Sequence, residues 1–172
     1  QTFEAYCYFL IAAFGGAATT FIGQCYGAGD ARRCRRIYWR CLVMAFVFCL
    51  VPNWLFYWQR QPLVGLFTKD LAVMHYVYLR MGCVLIFQSI ASSYEISASA
   101  MRGFGKSFLP ALLTVFGTCV IRLVWVFTVC PIMPGYDNLL YVYPISWVLT
   151  GVLVCTAYGF ASRKAWKYIE EK

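Results

Sequence analysis

The sequence is poor in charge. Only 13% of its 172 residues are Asp, Glu, Lys or Arg, whereas 62% are hydrophobic and the mean hydropathy is +0.64. A soluble domain carries about 25% charged residues, because it must present a water-compatible surface. A single soluble core is therefore excluded, and the composition predicts a protein embedded in a membrane.

Residues that carry chemistry are also scarce. His75 is the one histidine, and none of the nine cysteines forms a CxxC pair or shows the spacing of zinc ligands. Most cysteines lie in apolar runs, where cysteine behaves as a small hydrophobic residue. We find no pairing of a nucleophile with a base. The sequence predicts no metal site, no cofactor and no enzyme.

The net charge of +8 raises the question of a nucleic-acid partner. The basic residues, however, form short clusters between long apolar runs instead of covering one surface. In that position the phosphates of anionic lipids are nearer partners than a nucleic acid. We expect membrane lipid, and no nucleic acid, as a partner.

Five apolar runs account for most of the chain. Each is close to the roughly 20 residues that a helix needs to cross a bilayer. They are too long, and alternate too little, for the strands of a membrane barrel. The sequence predicts an all-α integral membrane fold with spans at 3–22, 37–58, 73–101, 108–130 and 141–161, followed by a tail over 162–172.

Basic residues are distributed unevenly between the predicted connections. The first and third connections and the tail carry Arg32, Arg33, Arg35, Arg36, Arg102, Lys106, Arg163, Lys164, Lys167 and Lys172. The second connection offers Arg60 and Lys69, and the fourth offers no basic residue. Because loops rich in Lys and Arg remain in the cytoplasm, the chain is predicted to begin outside and to end inside.

The third span carries a stripe of polar side chains. Its members recur at helical spacing and share one helix face: Gln88, Ser92, Glu95, Ser99 and Arg102. Such a stripe should face protein or water, and Glu95 lies roughly 9 Å inside the bilayer at 1.5 Å per residue. Buried carboxylates of this kind serve ion or substrate pathways. The alternative is that Glu95 joins helices through hydrogen bonds with neighbouring serines.

Further charges lie in the apolar spans. Arg122 shares a face of the fourth span with Thr114 and Thr118, about 12 Å from the depth of Glu95, so a direct pair is not favoured. It is a candidate for the same pathway, with snorkelling to the headgroups as the alternative. For Arg80, near the end of the third span, we favour snorkelling. Glu4, in the first span, is a second candidate acid.

Two glycine-rich motifs end spans. The first, over 23–30, lacks the preceding strand of a phosphate-binding loop and instead predicts a tight helix exit, with Asp30 capping the next helix. That helix, with its four arginines, is predicted to lie along the headgroups. The second, over 102–107, lacks the glycine that a nucleotide-binding loop needs at position 100 and predicts a cytoplasmic turn. The motif residues are Gly23, Gln24, Gly27, Gly29, Arg102, Gly103 and Gly105.

These motifs resemble those of the multidrug and toxic compound extrusion (MATE) family. The similarity rests on residues 18–29, on Glu95 followed by 102–107, and on residues 143–147, in that order. It implies twelve helices in two six-helix lobes with both termini cytoplasmic. The five spans would be helices eight to twelve of a C-terminal lobe, so the chain is expected to be a fragment that lacks the N-terminal lobe and helix seven.

The resemblance also implies a function. Members of the family exchange protons or sodium ions for organic cations and other drugs across the plasma membrane, and acids of the C-terminal lobe contribute to coupling. This favours roles for Glu95 and Glu4. The sequence differs from some branches in carrying Ala91 where they place the acid, and from many members in carrying Cys25 instead of asparagine. A flippase for lipid or polysaccharide precursors and a non-transporting membrane scaffold are the alternatives.

Overall fold

The computed structural model describes residues 2–133 and 135–170, and every regular element in these two ranges is a helix. The α-helices are α1 Thr2–Gly27, α2 Ala31–Trp58, α3 Arg60–Gly65, α4 Leu71–Arg80, α5 Ala91–Gly103, α6 Phe108–Val115, α7 Ile121–Thr128 and α8 Tyr136–Glu170. Two π-helical segments, Met81–Leu85 and Phe116–Val120, and a 3-10 turn at Gln88–Ile90 connect some of them.

Five helical stretches are long and apolar enough to cross a membrane, which confirms the predicted fold class. They are Phe3–Gly27, Ala31–Trp58, Leu71–Gly103, Phe108–Thr128 and Tyr136–Ile169. Two bounds correct the sequence prediction. The second span begins at Ala31, so its arginine cluster belongs to α2 and not to a separate helix along the headgroups. The last helix runs on to Glu170, so most of the predicted tail over 162–172 is helical.

The exit from α1 is a tight turn, as the glycine motif indicates. Gly29 adopts a left-handed backbone with φ of 76°, which favours glycine, and the Asp30 amide donates to the carbonyl of Cys25 at 3.0 Å. The Asp30 side chain then accepts a hydrogen bond from the amide of Arg33 at 2.9 Å and caps α2. Sequence and structure therefore agree on the tight exit from α1 and on Asp30 as the cap of the following helix.

The core lies where α1, α2, α5 and α8 meet. Ile11, Cys49, Ala98 and Val154, one from each helix, are fully buried in it. Within it α1 and α5 cross closely because glycines stand at the contact. A Cβ added at Gly103 would lie 3.0 Å from the Thr19 carbonyl oxygen and 3.2 Å from the Gly23 nitrogen. Small residues of this kind let membrane helices pack backbone to backbone.

Replacing Gly103 with Ala should therefore destabilise the fold. The added methyl group meets backbone atoms that cannot rotate away, and overpacking of this kind costs about 1–3 kcal/mol. Gly16→Ala is the matched control, since nothing lies within 4 Å of a Cβ at that position. We expect the free energy of unfolding, measured by denaturant titration in micelles, to fall for Gly103→Ala only. Equal stability of the two variants would show that the close crossing is unnecessary.

The third span is not the single regular helix that the polar stripe assumed. It passes from α4 through the π-helical segment Met81–Leu85 and the 3-10 turn Gln88–Ile90 before α5 begins. Breaks of this kind leave backbone groups outside the usual hydrogen-bond ladder and occur often at functional sites. The break lies between Arg80 and Glu95 and so divides the charged residues of this span into two groups.

Candidate functional site

The group on the C-terminal side of the break, the Glu95 group, is centred on Glu95. Its Oε1 accepts from Nη1 of Arg102 at 3.5 Å, and the same Nη1 lies 3.4 Å from the Ser99 hydroxyl oxygen. The Glu95 side chain is 13% exposed and that of Arg102 38%. Strong guanidinium–carboxylate contacts are about 2.7–2.9 Å long. Glu95 is thus largely withdrawn from solvent but held only loosely by its guanidinium partner.

The polar stripe faces the first helix. A Cβ added at Gly15 of α1 would come within 2.9 Å of the Ser99 hydroxyl oxygen and 3.8 Å of Cγ of Glu95. The Thr19 hydroxyl also donates to the Ser99 carbonyl at 3.1 Å. The predicted stripe therefore lies against protein, and the glycine at position 15 makes room for its polar atoms.

Two tyrosines that sequence reasoning missed lie beside Glu95. Tyr8 on α1 is close enough to interact electrostatically with both Glu95 and Arg102, and Tyr94 interacts with Glu95 and Arg122. Tyr94 is buried, whereas Tyr8 is 43% exposed. Of the two tyrosines, Tyr8 is thus the one that remains accessible. No spacing rule could link Tyr8 to Glu95, because they are on different spans.

The serines of the stripe have structural roles in this arrangement. Ser92 is fully buried and its hydroxyl donates to the Ser89 carbonyl at 2.7 Å. Ser97, which the sequence did not single out, shares a hydrogen bond of 3.0 Å with the Tyr38 hydroxyl and so joins α5 to α2. Of the stripe, therefore, Glu95 and Arg102 remain as the groups able to exchange partners.

The group on the N-terminal side of the break, the Glu4 group, is centred on Glu4. Nε and Nη2 of Arg80 donate to its two carboxylate oxygens at 2.7 and 2.8 Å, and each side chain is about one-fifth exposed, at 20% and 22%. This corrects the prediction that Arg80 snorkels, because a bidentate pair satisfies both charges without reaching the headgroups. Gln88, from the stripe, belongs here too, since its Nε2 donates to the Glu4 carbonyl at 2.7 Å.

Arg122 extends the Glu4 group toward α8 and does not snorkel either. Its Nε donates to the Ser146 hydroxyl at 3.2 Å, and its guanidinium lies 4.6 Å from the centre of the Tyr143 ring. The guanidinium of Arg80 lies 5.5 Å from the same ring. Tyr143 therefore connects Arg122 to the Glu4–Arg80 pair through cation–π contacts. The sequence placed Tyr143 and Ser146 in a family motif without indicating this role.

The glycine motif residues have mixed positions. Gly23 and Gly103 form the close crossing of α1 and α5, and Gly105 adopts a φ of 78° in the turn after α5. The carbonyl of Gln24 accepts from the Ala28 amide at 3.0 Å, and its side chain is exposed, as is Gly27. Arg102 is the one motif residue that belongs to a charged group, since it contacts Glu95. The others shape the helix ends and lie outside both charged groups.

Comparison with known proteins identifies the family. The MatE family model matches residues 1–128. The chain is 25% identical over 109 residues to "Probable multidrug resistance protein NorM" from Brucella suis biovar 1 (strain 1330), and equally so to the protein of that name from Brucella melitensis biotype 1 (strain ATCC 23456 / CCUG 17765 / NCTC 10094 / 16M). Each match covers 60% of this chain and 23% of the relative, so the chain spans about a quarter of the length of these relatives.

The fold is shared with a transporter of known structure. The crystal structure of Vibrio cholerae MATE transporter VcmN in the bent form superposes with a TM-score of 0.83 at 18% identity, over 97% of this chain and 39% of that one. The helices described above thus reproduce part of its architecture. Since the family model matches well over half of the residues, and five helices can span a bilayer, the chain is a multi-pass membrane protein that belongs to the MatE family.

Proposed function

We propose that the chain is part of a secondary active antiporter that exports drugs or organic cations in exchange for protons or sodium ions across the plasma membrane. Membership of a transporter family and similarity to relatives named as multidrug resistance proteins support this. Family membership also agrees with the prediction that the chain is not an enzyme. The observation that carries the proposal is the loosely held carboxylate of Glu95 in an apolar span.

The chemistry follows from the cost of a buried charge. A carboxylate within the membrane must be neutralised by a cation, a proton or hydrogen-bond donors. At 3.5 Å, Arg102 holds Glu95 only weakly, so a proton, a sodium ion or a cationic drug can replace it without breaking a strong contact. Competition between the ion and the drug for one carboxylate couples their movements as the two lobes alternate access.

The distribution of polar groups supports a cavity wall. Glu95 is held loosely, and Tyr8, which interacts with it electrostatically, is 43% exposed, whereas the tight Glu4–Arg80 pair joins helices within the lobe. We expect the N-terminal lobe and helix seven to complete the cavity on the Tyr8 side. The substrate is thus a partner shared between this chain and that lobe.

We also propose that the first residue is extracellular and the C-terminus cytoplasmic. The rings of Tyr26 and Phe104 are 5.5 Å apart and those of Tyr26 and Tyr168 are 6.4 Å apart, so the ends of α1, α5 and α8 lie together. The start of α2, with its arginines, follows directly after α1. The basic clusters thus gather at one end of the bundle, as expected of a cytoplasmic face.

The alternatives receive less support. A flippase for lipid or polysaccharide precursors needs a wider and more basic cavity, but Arg80 is tightly paired with a carboxylate and Arg122 stacks on Tyr143. A non-transporting scaffold gives no reason for a loosely paired carboxylate in an apolar span. An antiporter accounts for both observations.

The test is fluorescent dye transport by a complete two-lobe protein that contains this chain. Everted membrane vesicles would be given a proton gradient alone, a sodium gradient alone, or neither. We expect one of the two ion gradients to drive accumulation of the dye against the dye's own concentration gradient. Dissipating that ion gradient should stop the accumulation. Dye accumulation that requires ATP and does not depend on either ion gradient would overturn the proposal.

A further inference from the structure

A cleft between α2 and α8 lies at the end of the bundle where the basic clusters gather. Its volume is about 270 Å³, and it is lined by Arg35 and Trp39 of α2 and by Tyr158, Ser162, Arg163 and Trp166 of α8, among others. The cleft is separate from both charged groups described above. Neither the transport proposal nor the family motifs give it a role.

The charge of the cleft is of one sign. Arg35 and Arg163 approach it from different helices, and no acidic residue is among the described residues that line it. Neither guanidinium has an ion pair within residues 2–133 and 135–170. A second cavity of about 370 Å³ adjoins it, shares Arg35 and Trp39, and adds Arg32, Arg36 and Arg40. Two guanidiniums facing one space suit a phosphate, whose oxygens accept forked hydrogen bonds from arginine.

The wall of the cleft is ordered by ring packing. The rings of Tyr38 and Tyr158 stack at 4.1 Å, and the Tyr38 hydroxyl is tied to Ser97 of α5 at 3.0 Å. Tyr158 is close enough to Arg35 to interact with its charge. The two arginines are therefore presented on a fixed wall that joins three helices.

The surface next to the cleft is apolar and exposed. Trp39 is 54% exposed, and Val43 and Val47, one and two turns further along α2, are 56% and 45% exposed. Residues four apart share a helix face, so these three form a track that leads from the cleft toward the middle of the span. An acyl chain can pack along this apolar track, whereas a free phosphate ion makes no favourable contact with it.

We propose that this cleft binds the headgroup of an anionic phospholipid, with the phosphate between Arg35 and Arg163 and an acyl chain along Trp39, Val43 and Val47. Basic pockets between membrane helices bind acidic headgroups in this way. The bound lipid joins the start of α2 to the end of α8. Without it, the guanidiniums of Arg35 and Arg163 would repel one another across the cleft.

The test measures lipid retention by the purified protein in detergent, using native mass spectrometry. Phosphatidylglycerol is the probe and phosphatidylcholine the zwitterionic comparison. We expect phosphatidylglycerol to be retained preferentially, and Arg35→Gln or Arg163→Gln each to weaken its binding about fivefold, as expected for one basic residue near a membrane surface. The double variant should lose about 30-fold if the two contributions add.

Arg33→Gln is the matched control, because it removes the same charge from the same end of α2, and Arg33 lines a different cavity with Asp30 and Phe21. Circular dichroism and thermal midpoints in mixed micelles of detergent and phosphatidylcholine check that the variants are folded. If Arg163→Gln does not fold, Arg163→Lys is used instead, because it keeps the positive charge but not the forked guanidinium. An equal loss for Arg33→Gln would overturn the site in favour of diffuse attraction. Displacement of phosphatidylglycerol by millimolar inorganic phosphate would show that the ligand of the cleft is phosphate and not the lipid.

Discussion

Glu95→Gln is expected to abolish gradient-driven efflux in a complete transporter that contains this chain, while the variant inserts and accumulates near the normal level. Glutamine has nearly the same shape and can still accept a hydrogen bond from Arg102, but it cannot bind a proton or neutralise a cation. Glu95→Asp should retain part of the activity, because the charge survives on a shorter side chain. Dye efflux from cells, normalised to the amount of protein in the membrane, measures the effect.

Ser99→Ala is the control for the Glu95 variants. Ser99 also contacts Arg102 and lies against Gly15, but it has no titratable group. We expect this variant to keep most of the efflux. If Glu95→Gln also kept it while Glu95→Ala prevented accumulation of the protein, Glu95 would be a helix-joining residue, and coupling would have to be sought at Glu4 or in the other lobe.

Arg80→Gln is expected to cause a large loss of stability. The change removes both hydrogen bonds to Glu4 and leaves that carboxylate without its guanidinium partner in an apolar span. Breaking a fully buried pair costs about 3–5 kcal/mol. Because both side chains of this pair are about one-fifth exposed, we expect a smaller loss in the free energy of unfolding, about 2–3 kcal/mol. Denaturant titration in micelles, followed by circular dichroism, measures it.

The matched control is Arg60→Gln, since Arg60 lies 4.4 Å from the centre of the Tyr57 ring and has no ion pair within the described ranges. Adding Glu4→Gln to Arg80→Gln should restore part of the lost stability, because it removes the carboxylate charge that Arg80 neutralises. A loss for Arg80→Gln no greater than that for Arg60→Gln would show that the Glu4–Arg80 pair contributes little to holding α1 against α4.

The fold class could be predicted from hydropathy because the bilayer requires long apolar helices. Five spans and the tight exit at Gly29 followed directly from that requirement and from turn chemistry. The extent of α2 and α8 did not. Their polar ends carry arginines and lysines, which suggested a loop or a tail. Such side chains are nevertheless compatible with a helix that continues past the hydrocarbon core.

The candidate site was only half predictable. Periodicity on α5 was sufficient to place Glu95, Ser99 and Arg102 on one face. The Glu4 group depends on partners far apart in the chain, since Arg80 follows Glu4 by 76 positions. No local pattern reports such a contact, so snorkelling was the default for an arginine near a span end. The break in the third span was hidden for a similar reason, since its π-helical segment and 3-10 turn contact α1, α2 and α8, which lie far away in the chain.

Ion movement driven by the substrate tests the central claim most directly. Proteoliposomes containing the complete transporter would be loaded with an organic cation, and an internal pH dye or radioactive sodium would report ion movement as that cation leaves. We predict that the cation drives ions in the opposite direction, and that Glu95→Gln eliminates this ion movement at equal protein density. Ion movement of equal rate in the Glu95→Gln protein would contradict the assignment of coupling to Glu95.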